Sequence, residues 1–450
     1  MKKCTICTEK EDKPYNQRDS SNESIKKLFR YNYNLIKKNS ARTFLEKILF
    51  MKEIPRLYSS WRTGKGYKPL SINMYCTYRC NLRCKHCGFG LDVTPKTLNK
   101  NEITTQECFK FFEDAGKLGT EKLHFTGGEP LLRHDLIDLV KHAKKNIPFV
   151  NLTTNGTLIT EDIAKELVTS LDAIKFSIDG TEKTHDMARG VEGSWKKTIR
   201  GLKYINNSKK KLNPKLMVGV NCLVNATNYI GLADLIETLH EAGNLDLVQF
   251  SPLFAYKEIK DDKEVRLFLT KDEAQFFIQN IVPEIKRKAE KYGISVQFAR
   301  AWEYTDVEGL MDKYRIDYCY LPWSWLILSP HGNIFPCGGT QYDNFFGEDN
   351  ESVTRFIMGN IRYNRLTEIW NNDKYINFRK KCNPLTHDIC NYCCHIRSVK
   401  ATNDKINSIP IISSIPPGFR SFMAYSLSVE PSMVSVAHKN IAFMAKREDL

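Results

Sequence analysis

The chain has 450 residues, 67 of them lysine or arginine against 52 acidic residues, for a formal net charge of +15 at neutral pH. A single small domain is excluded, because single cores stop growing near about 250–300 residues, so a barrel-sized core with one or two smaller modules fits the length. The charge would suit an anionic partner, but lysine, asparagine and isoleucine are abundant throughout and no aromatic-studded arginine stripe occurs, so nucleic acid is not expected as a partner.

No apolar h-region opens the chain, and no uninterrupted apolar run reaches the roughly 18 residues of a membrane span, so the expected location is the cytoplasm. The 14 cysteines then read as metal ligands or catalytic groups, since cytosolic thiols are kept reduced.

Residues 1–68 read as a basic, mainly helical extension. After a polar start holding Cys4 and Cys7, apolar residues such as Ile25, Leu28, Phe29, Leu35, Ile36, Phe44, Leu45, Ile48 and Leu49 recur at roughly helical spacing among lysines. Such helices usually pack on a neighbouring domain. The lone C-x2-C of Cys4 and Cys7, without a second pair, is read as part of a mobile tail.

From residue 69 the pattern alternates. "PLSINMY" (69–75), "KLHFT" (122–126), "FVNLTT" (149–154), "AIKFSI" (173–178), "LMVGVNCLV" (216–224) and "LVQFS" (247–251) are short β-rich runs. Helical stretches separate them, among them "TTQECFKFFEDAGKLG", "DLIDLVKHAKK", "TEDIAKELVTS" with Thr160 as cap, "WKKTIRGLKYINN" and "GLADLIETLHEAG". Repeated β-α units predict a parallel sheet with helices outside, as an open barrel or a doubly wound sheet, with function at the carboxyl ends of the strands. A further helix is expected at about 271–291, and "ISVQF" after it is a short strand. Cys108 on a helix and Cys222 in a strand are expected in the core, and Cys76 fits the first strand.

"CNLRCKHC" places Cys80, Cys84 and Cys87 just past the first strand, at the functional rim. Closed zinc sites take four ligands, whereas three thiolates around a four-iron cube leave one iron open to a further ligand. This C-x3-C-x2-C loop resembles the signature of the radical S-adenosylmethionine (radical SAM) superfamily, with His86 where an aromatic residue usually stands. "FTGGEPLLR" (125–133), "TTNGTLI" (153–159) and "FSIDGTEKTHDMARGVEGSW" (176–195) are similar to the family's second-, third- and fourth-strand segments, in the expected order. The resemblance implies a partial (β/α)6 barrel over 69–300 and a 4Fe-4S cluster on Cys80, Cys84 and Cys87. It also implies reductive cleavage of SAM to a 5'-deoxyadenosyl radical that abstracts hydrogen from an unactivated C–H bond.

In that frame Gly127 and Gly128 let backbone approach a ligand, and Glu129 supplies an anionic acceptor for the ammonium of SAM. Ser177 and Asp179 stand at a strand end, where ribose hydroxyls would lie, and Arg189 suits the methionine carboxylate. Asn155 and His86 complete the cofactor-binding set, and His185 is the weakest candidate. The implied electron donor is a flavodoxin- or ferredoxin-type protein.

From Cys319 the alternation ends. Cys319, then Gly332 with twelve residues between them, then Cys337 with four between, resemble the opening of a SPASM or Twitch domain, with Cys390 and Cys393 of "CNYCC" as the closing pair. The resemblance implies a cysteine-rich domain over 301–400 with one auxiliary 4Fe-4S cluster on Cys319, Cys337, Cys390 and Cys393. Only Cys382 and Cys394 remain nearby, and Cys382 could replace one of the four. A zinc site on the same cysteines is the alternative. Residues 401–450 read as a surface tail. The implied substrate is a ribosomal peptide or protein; a small molecule such as a sugar or aminocyclitol is the second reading, and a non-catalytic iron-sulfur scaffold, against which the full set of motifs argues, the third.

Overall fold

The computed structural model describes residues 56–89, 101–253, 266–298, 318–338, 340 and 354–382. The predicted helices before residue 56, the whole 299–317 segment, the predicted tail at 401–450, and Cys4, Cys7, Cys390, Cys393 and Cys394 lie outside the described residues.

One ten-stranded sheet organises the described chain, in the order β10-β9-β8-β1-β2-β3-β4-β5-β6-β7. The strands are β1 (Ser71–Tyr75), β2 (Lys122–Thr126), β3 (Phe149–Thr154), β4 (Ala173–Ser177), β5 (Met217–Val224), β6 (Leu247–Pro252), β7 (Ser295–Phe298), β8 (Trp325–Leu328), β9 (Asn333–Phe335) and β10 (Gly359–Asn360). From β1 to β7 every neighbouring pair is parallel. The crossovers are helical: α1 (Thr105–Lys117), α2 (Leu136–Asn146), α3 (Glu161–Ser170), α4 (Glu182–Arg189), α5 (Ser194–Leu212), α6 (Leu232–Ala242), α7 (Lys271–Phe276) and α8 (Val282–Tyr292). Thr104 and Thr160 cap α1 and α3 through side-chain oxygens, satisfying amide groups that the first turn leaves unpaired.

The strands bury one face. Leu123 and Phe125, Ile174 and Phe176, and Val248 and Phe250 are all 0% exposed, packed with helix residues such as Phe112, Leu139 and Leu202 in one core. The alternate residues, Lys122, His124 and Thr126, Lys175 and Ser177, Gln249 and Ser251, are polar and partly exposed. Closed (β/α)8 barrels fill the interior with branched apolar side chains; here the inner face is polar and keeps accessible surface.

The C-terminal segment joins the same sheet. β8 runs parallel to β1, pairing Ser71 with Trp325 and Met74 with Leu328, and β9 returns antiparallel to β8. Two short helices follow, α9 (Leu366–Ile369) and α10 (Asp373–Lys380). Arg365 pairs with the buried Asp114 of α1. Arg379 lies between the rings of Trp370 and Tyr375, at 4.1 and 3.9 Å, and donates to the carbonyls of Pro322 (2.8 Å) and Gly64 (3.2 Å). The last part of the N-terminal extension, helical over 56–63, is thereby tied to the C-terminal segment. Among the described residues no helix is long and apolar enough to cross a membrane.

Candidate functional site

The cysteine loop begins where β1 ends and is held by backbone on two sides. On the β2 side, Cys76 N–H donates to Thr126 O, Gly128 N–H to Thr77 O and Glu129 N–H to Arg79 O, each at 2.8 Å. A Cβ on Gly127 or Gly128 would collide with Thr77 O or Arg79 O. Both glycines were expected to admit a ligand; the close approach they permit is to the loop itself. On the other side, Arg83 N–H donates to Arg189 O at 3.0 Å and Lys85 N–H to Ala188 O at 3.3 Å. These bonds satisfy carbonyls that the C-terminus of α4 leaves open. Gly190, at φ +67°, is the left-handed cap of α4, and a Cβ there would strike Arg83 O.

Cys80 and Cys84 are free thiols. Burial pushes the Cys80 thiol up to about 11 and raises that of Cys84 as well. Thiols in this state remain protonated until a metal displaces the proton. Cys84 Sγ lies 3.8 Å from Arg189 Nη1, and Cys87 N–H donates to Cys84 O at 3.2 Å.

Glu129 is 0% exposed. Its carboxylate accepts from Thr154 Oγ1 (2.7 Å), Asn155 N (2.8 Å) and Leu131 N (3.1 Å). Burial outweighs these donors and holds the carboxyl above its usual range. Three bonds on about four lone-pair sites leave room for another donor. Asn155 links β3 to the cysteine loop: its Nδ2 donates to Asn81 Oδ1 at 2.9 Å, and Asn81 Nδ2 donates to Thr157 Oγ1 at 2.8 Å.

Asp179, just past β4, is also 0% exposed. Its Oδ2 is 2.8 Å from Arg189 Nη2 and 3.8 Å from His86 Nε2, and its Oδ1 accepts from Leu223 N at 2.9 Å. Burial pushes this carboxyl up, but Arg189, His86 and the Leu223 amide together hold it below its usual value. Its expected place was against a ribose, whereas the structure turns it onto Arg189. His185 is fully buried, and its Nδ1 accepts the Asp179 N–H at 3.4 Å. Burial lowers both His86 and His185 to about 4, so both are neutral near pH 7. Ser177 stands partly exposed at the end of β4, paired in register with Asn221. Sequence reasoning missed two contributors. One is α4 as a helix, read only as part of a motif. The other is Arg133, which is buried, bonds Asp135 at 2.7 Å and donates to Cys76 O at 3.3 Å, bracing the end of β1.

In the C-terminal segment Cys319 N–H donates to Cys382 O at 3.0 Å. Cys337 and Cys382 are buried and both lie near Tyr375, whose hydroxyl is pushed up by burial against the opposing charge of Arg379. The structure therefore gathers Cys319, Cys337 and Cys382. Among the described residues no three Cys, His, Asp or Glu side chains are close enough to hold a single metal ion. That condition does not apply to a four-iron cube, whose ligands bind separate irons.

The donor set at the strand ends fits an iron-sulfur cluster with a charged organic ligand. Three cysteines share one loop, Glu129 keeps an open acceptor site, and Arg189 Nε and His86 Nδ1 are buried without hydrogen-bond partners. Such orphaned groups beside a cysteine loop are what a bound zwitterion would satisfy.

Residues 74–221 match the model of the radical SAM superfamily and residues 319–394 that of the iron-sulfur cluster-binding SPASM domain; the chain thus carries both domains and is an enzyme of the kind that uses SAM and 4Fe-4S chemistry. It is 25% identical over 376 residues to the AdoMet-dependent heme synthase of Methanosarcina barkeri, covering 76% of this chain and 95% of that protein. To the PqqA peptide cyclase of Bradyrhizobium diazoefficiens it is 25% identical over 364 residues, covering 77% and 87%. The fold is similar to that of Streptococcus suis SuiB bound to S-adenosylmethionine, with a TM-score of 0.56 and 15% identity over 84% of each chain.

Proposed function

We propose that Cys80, Cys84 and Cys87 ligate the SAM-binding cluster and that the chain modifies a peptide or protein at an unactivated C–H bond. The observation that carries this reading is the cysteine loop clamped between the Gly127–Glu129 turn and the α4 terminus, with Glu129 and Arg189 on either side of it. The cluster, when bound, supplies the electron that splits SAM into methionine and a 5'-deoxyadenosyl radical. Every other task belongs to the chain. Glu129 accepts the ammonium of SAM, and Arg189, oriented by Asp179, faces its carboxylate. Ser177 and Asn155 serve the ribose side, while His86, neutral and buried, lines the adenosine side. The buried walls exclude the water that would otherwise surround the reacting groups.

In the C-terminal domain, Cys319, Cys337, Cys390 and Cys393 hold one auxiliary 4Fe-4S cluster, and the backbone bond between Cys319 and Cys382 makes Cys382 the competing ligand. A flavodoxin- or ferredoxin-type donor in a reducing cytoplasm supplies the electron. The peptide reading is supported by similarity to a PqqA peptide cyclase and by likeness in fold to SuiB, a protein also crystallised with its precursor peptide SuiA. Similarity to heme synthases over nearly their full length favours a small-molecule substrate as the second reading.

The test is anaerobic reconstitution with iron and sulfide, then SAM and dithionite, with 5'-deoxyadenosine quantified by mass spectrometry. Product is expected from the parent and none from Cys84→Ala. Equal product from both would overturn the ligand assignment. Deuterium transfer into 5'-deoxyadenosine from labelled peptide or labelled small molecules then separates the two substrate readings.

A further inference from the structure

The inner face of the sheet, below the strand ends, gathers two lysine ammonium groups that no described carboxylate neutralises, with a histidine on the same face. Lys122 opens β2, His124 lies two residues on, and Lys175 is the third residue of β4. The registers His124 with Asn151 and Thr153 with Lys175 put all of them on one face across β3. Lys175 reaches over β5, where its register partner Gly219 has no side chain, to donate to Gln249 Oε1 at 2.9 Å. Lys122 Nζ stands 5.7 Å from the centre of the Phe149 ring.

These groups are close enough to act on one another. Burial and then the charge of Lys122 lower Lys175 to about 8, and burial lowers Lys122. Burial, then both ammonium groups, lowers His124 to about 3. His124 is therefore neutral, with Nδ1 bonded to Asn151 Nδ2 at 2.7 Å, which leaves its Nε2–H as a donor. On the same face Asn151 Oδ1, Thr153 Oγ1 and Asn221 Oδ1 are buried without hydrogen-bond partners, and Asn151 is only 4% exposed. Holding two partly desolvated ammonium groups near one another costs stability unless an anion joins them. Two lysines with no described carboxylate beside them, the His124 donor and the Thr153 hydroxyl on one face mark a site for an oxyanion, while the Asn151 and Asn221 side-chain oxygens are acceptors left for donor groups elsewhere on the same ligand.

Resting on the radical SAM reading above, we propose that this face anchors the substrate and that the substrate carries a compact oxyanion, a carboxylate or a phosphate, received by Lys122, Lys175 and His124. Lys175 lies two residues below Ser177, and Lys122 four below Thr126. At about 3.3 Å per residue the anchor is ~7–13 Å beneath the rim, leaving room for a few bonded atoms between the anion and the C–H group presented at the top.

The test is competitive acetylation of the iron-sulfur-reconstituted full chain, without SAM, at constant ionic strength set with sodium chloride. Each lysine is quantified by peptide mass spectrometry with and without succinate or inorganic phosphate. Several-fold protection of Lys122 and Lys175, with the exposed Lys165 unchanged, is expected from at least one anion. Protection by succinate alone makes the anchored group a carboxylate, and by phosphate alone a phosphate. In Lys175→Gln, Lys122 should lose its protection; full protection there would overturn a shared site. No protection, or protection of Lys165 to the same degree, overturns the proposal. 5'-Deoxyadenosine formation by the parent tests the radical chemistry separately, so either reading can fail alone.

Discussion

Glu129 carries a carboxyl group into a site with no solvent exposure, and burial holds its proton on above the usual range despite three donors. In the proposed role, Glu129 receives the ammonium of SAM in its ionised form. SAM binding at a pH below the raised value must therefore release a proton, so affinity is expected to rise with pH until the carboxylate is ionised and then level off. Glu129→Gln should bind SAM roughly ten- to hundredfold more weakly, the equivalent of one charged hydrogen bond of about 1.5–3 kcal/mol, and without that pH dependence. Equilibrium binding of SAM to the reconstituted protein across the acid-to-neutral range measures both. Asp179 behaves in the opposite sense, because Arg189 and its other partners hold its carboxyl below the usual value. Its contribution to stability is fully present above the ordinary carboxylate range and is lost as pH falls through the folded value. Asp179→Asn strands Arg189 in the core and should cost about 3–5 kcal/mol near neutral pH. The gap between parent and variant in denaturant titrations should close in acid.

At the scale of elements, α4 and the cysteine loop form one unit. The loop's amides cap the helix, and Gly190 makes the contact possible. Gly190→Ala meets both a left-handed backbone and a collision with Arg83 O, so the loop must move. About half the bound iron should be lost on reconstitution, with the signal of the auxiliary cluster kept, as read by iron analysis and electron paramagnetic resonance. The cysteine spacing was legible because Cys80, Cys84 and Cys87 lie within eight consecutive residues. The partner helix was not, since periodicity looks for an apolar stripe and the buried residues of α4 are His185, Ala188 and Arg189. Likewise "GGE" could be seen as a site for close approach, but what approaches it depends on β1 and β2 being neighbours.

The β-α alternation from 69 to 252 made the parallel sheet legible, since each strand pairs with the next in sequence. The addition of β8 was not, because "WLIL" pairs with a strand some 250 residues earlier, and nothing local encodes that adjacency. The consequence concerns the whole molecule. β1 is a central strand only because β8 covers it. Trp323, Leu326, Ile327, Leu328, Ile334 and Phe335, all at most 1% exposed, belong to the same core as β1 and β2. Arg379 and Arg365 tie that layer to the 56–66 segment and to α1. A chain cut before Tyr318 would therefore expose a parallel edge of β1 and an apolar face, a combination that favours association. Its expected behaviour is aggregation rather than an isolated working barrel. In the intact chain the barrel and the C-terminal layer should unfold in one transition, because they share one core. Calorimetry alongside the tryptophan fluorescence of a Trp195→Phe variant, which removes the barrel's α5 tryptophan and leaves Trp323, Trp325 and Trp370 of the C-terminal layer among the emitters, checks this. Coincident curves support the shared core, whereas an early fluorescence transition that leaves helix content intact would show the two parts to be separate folding units.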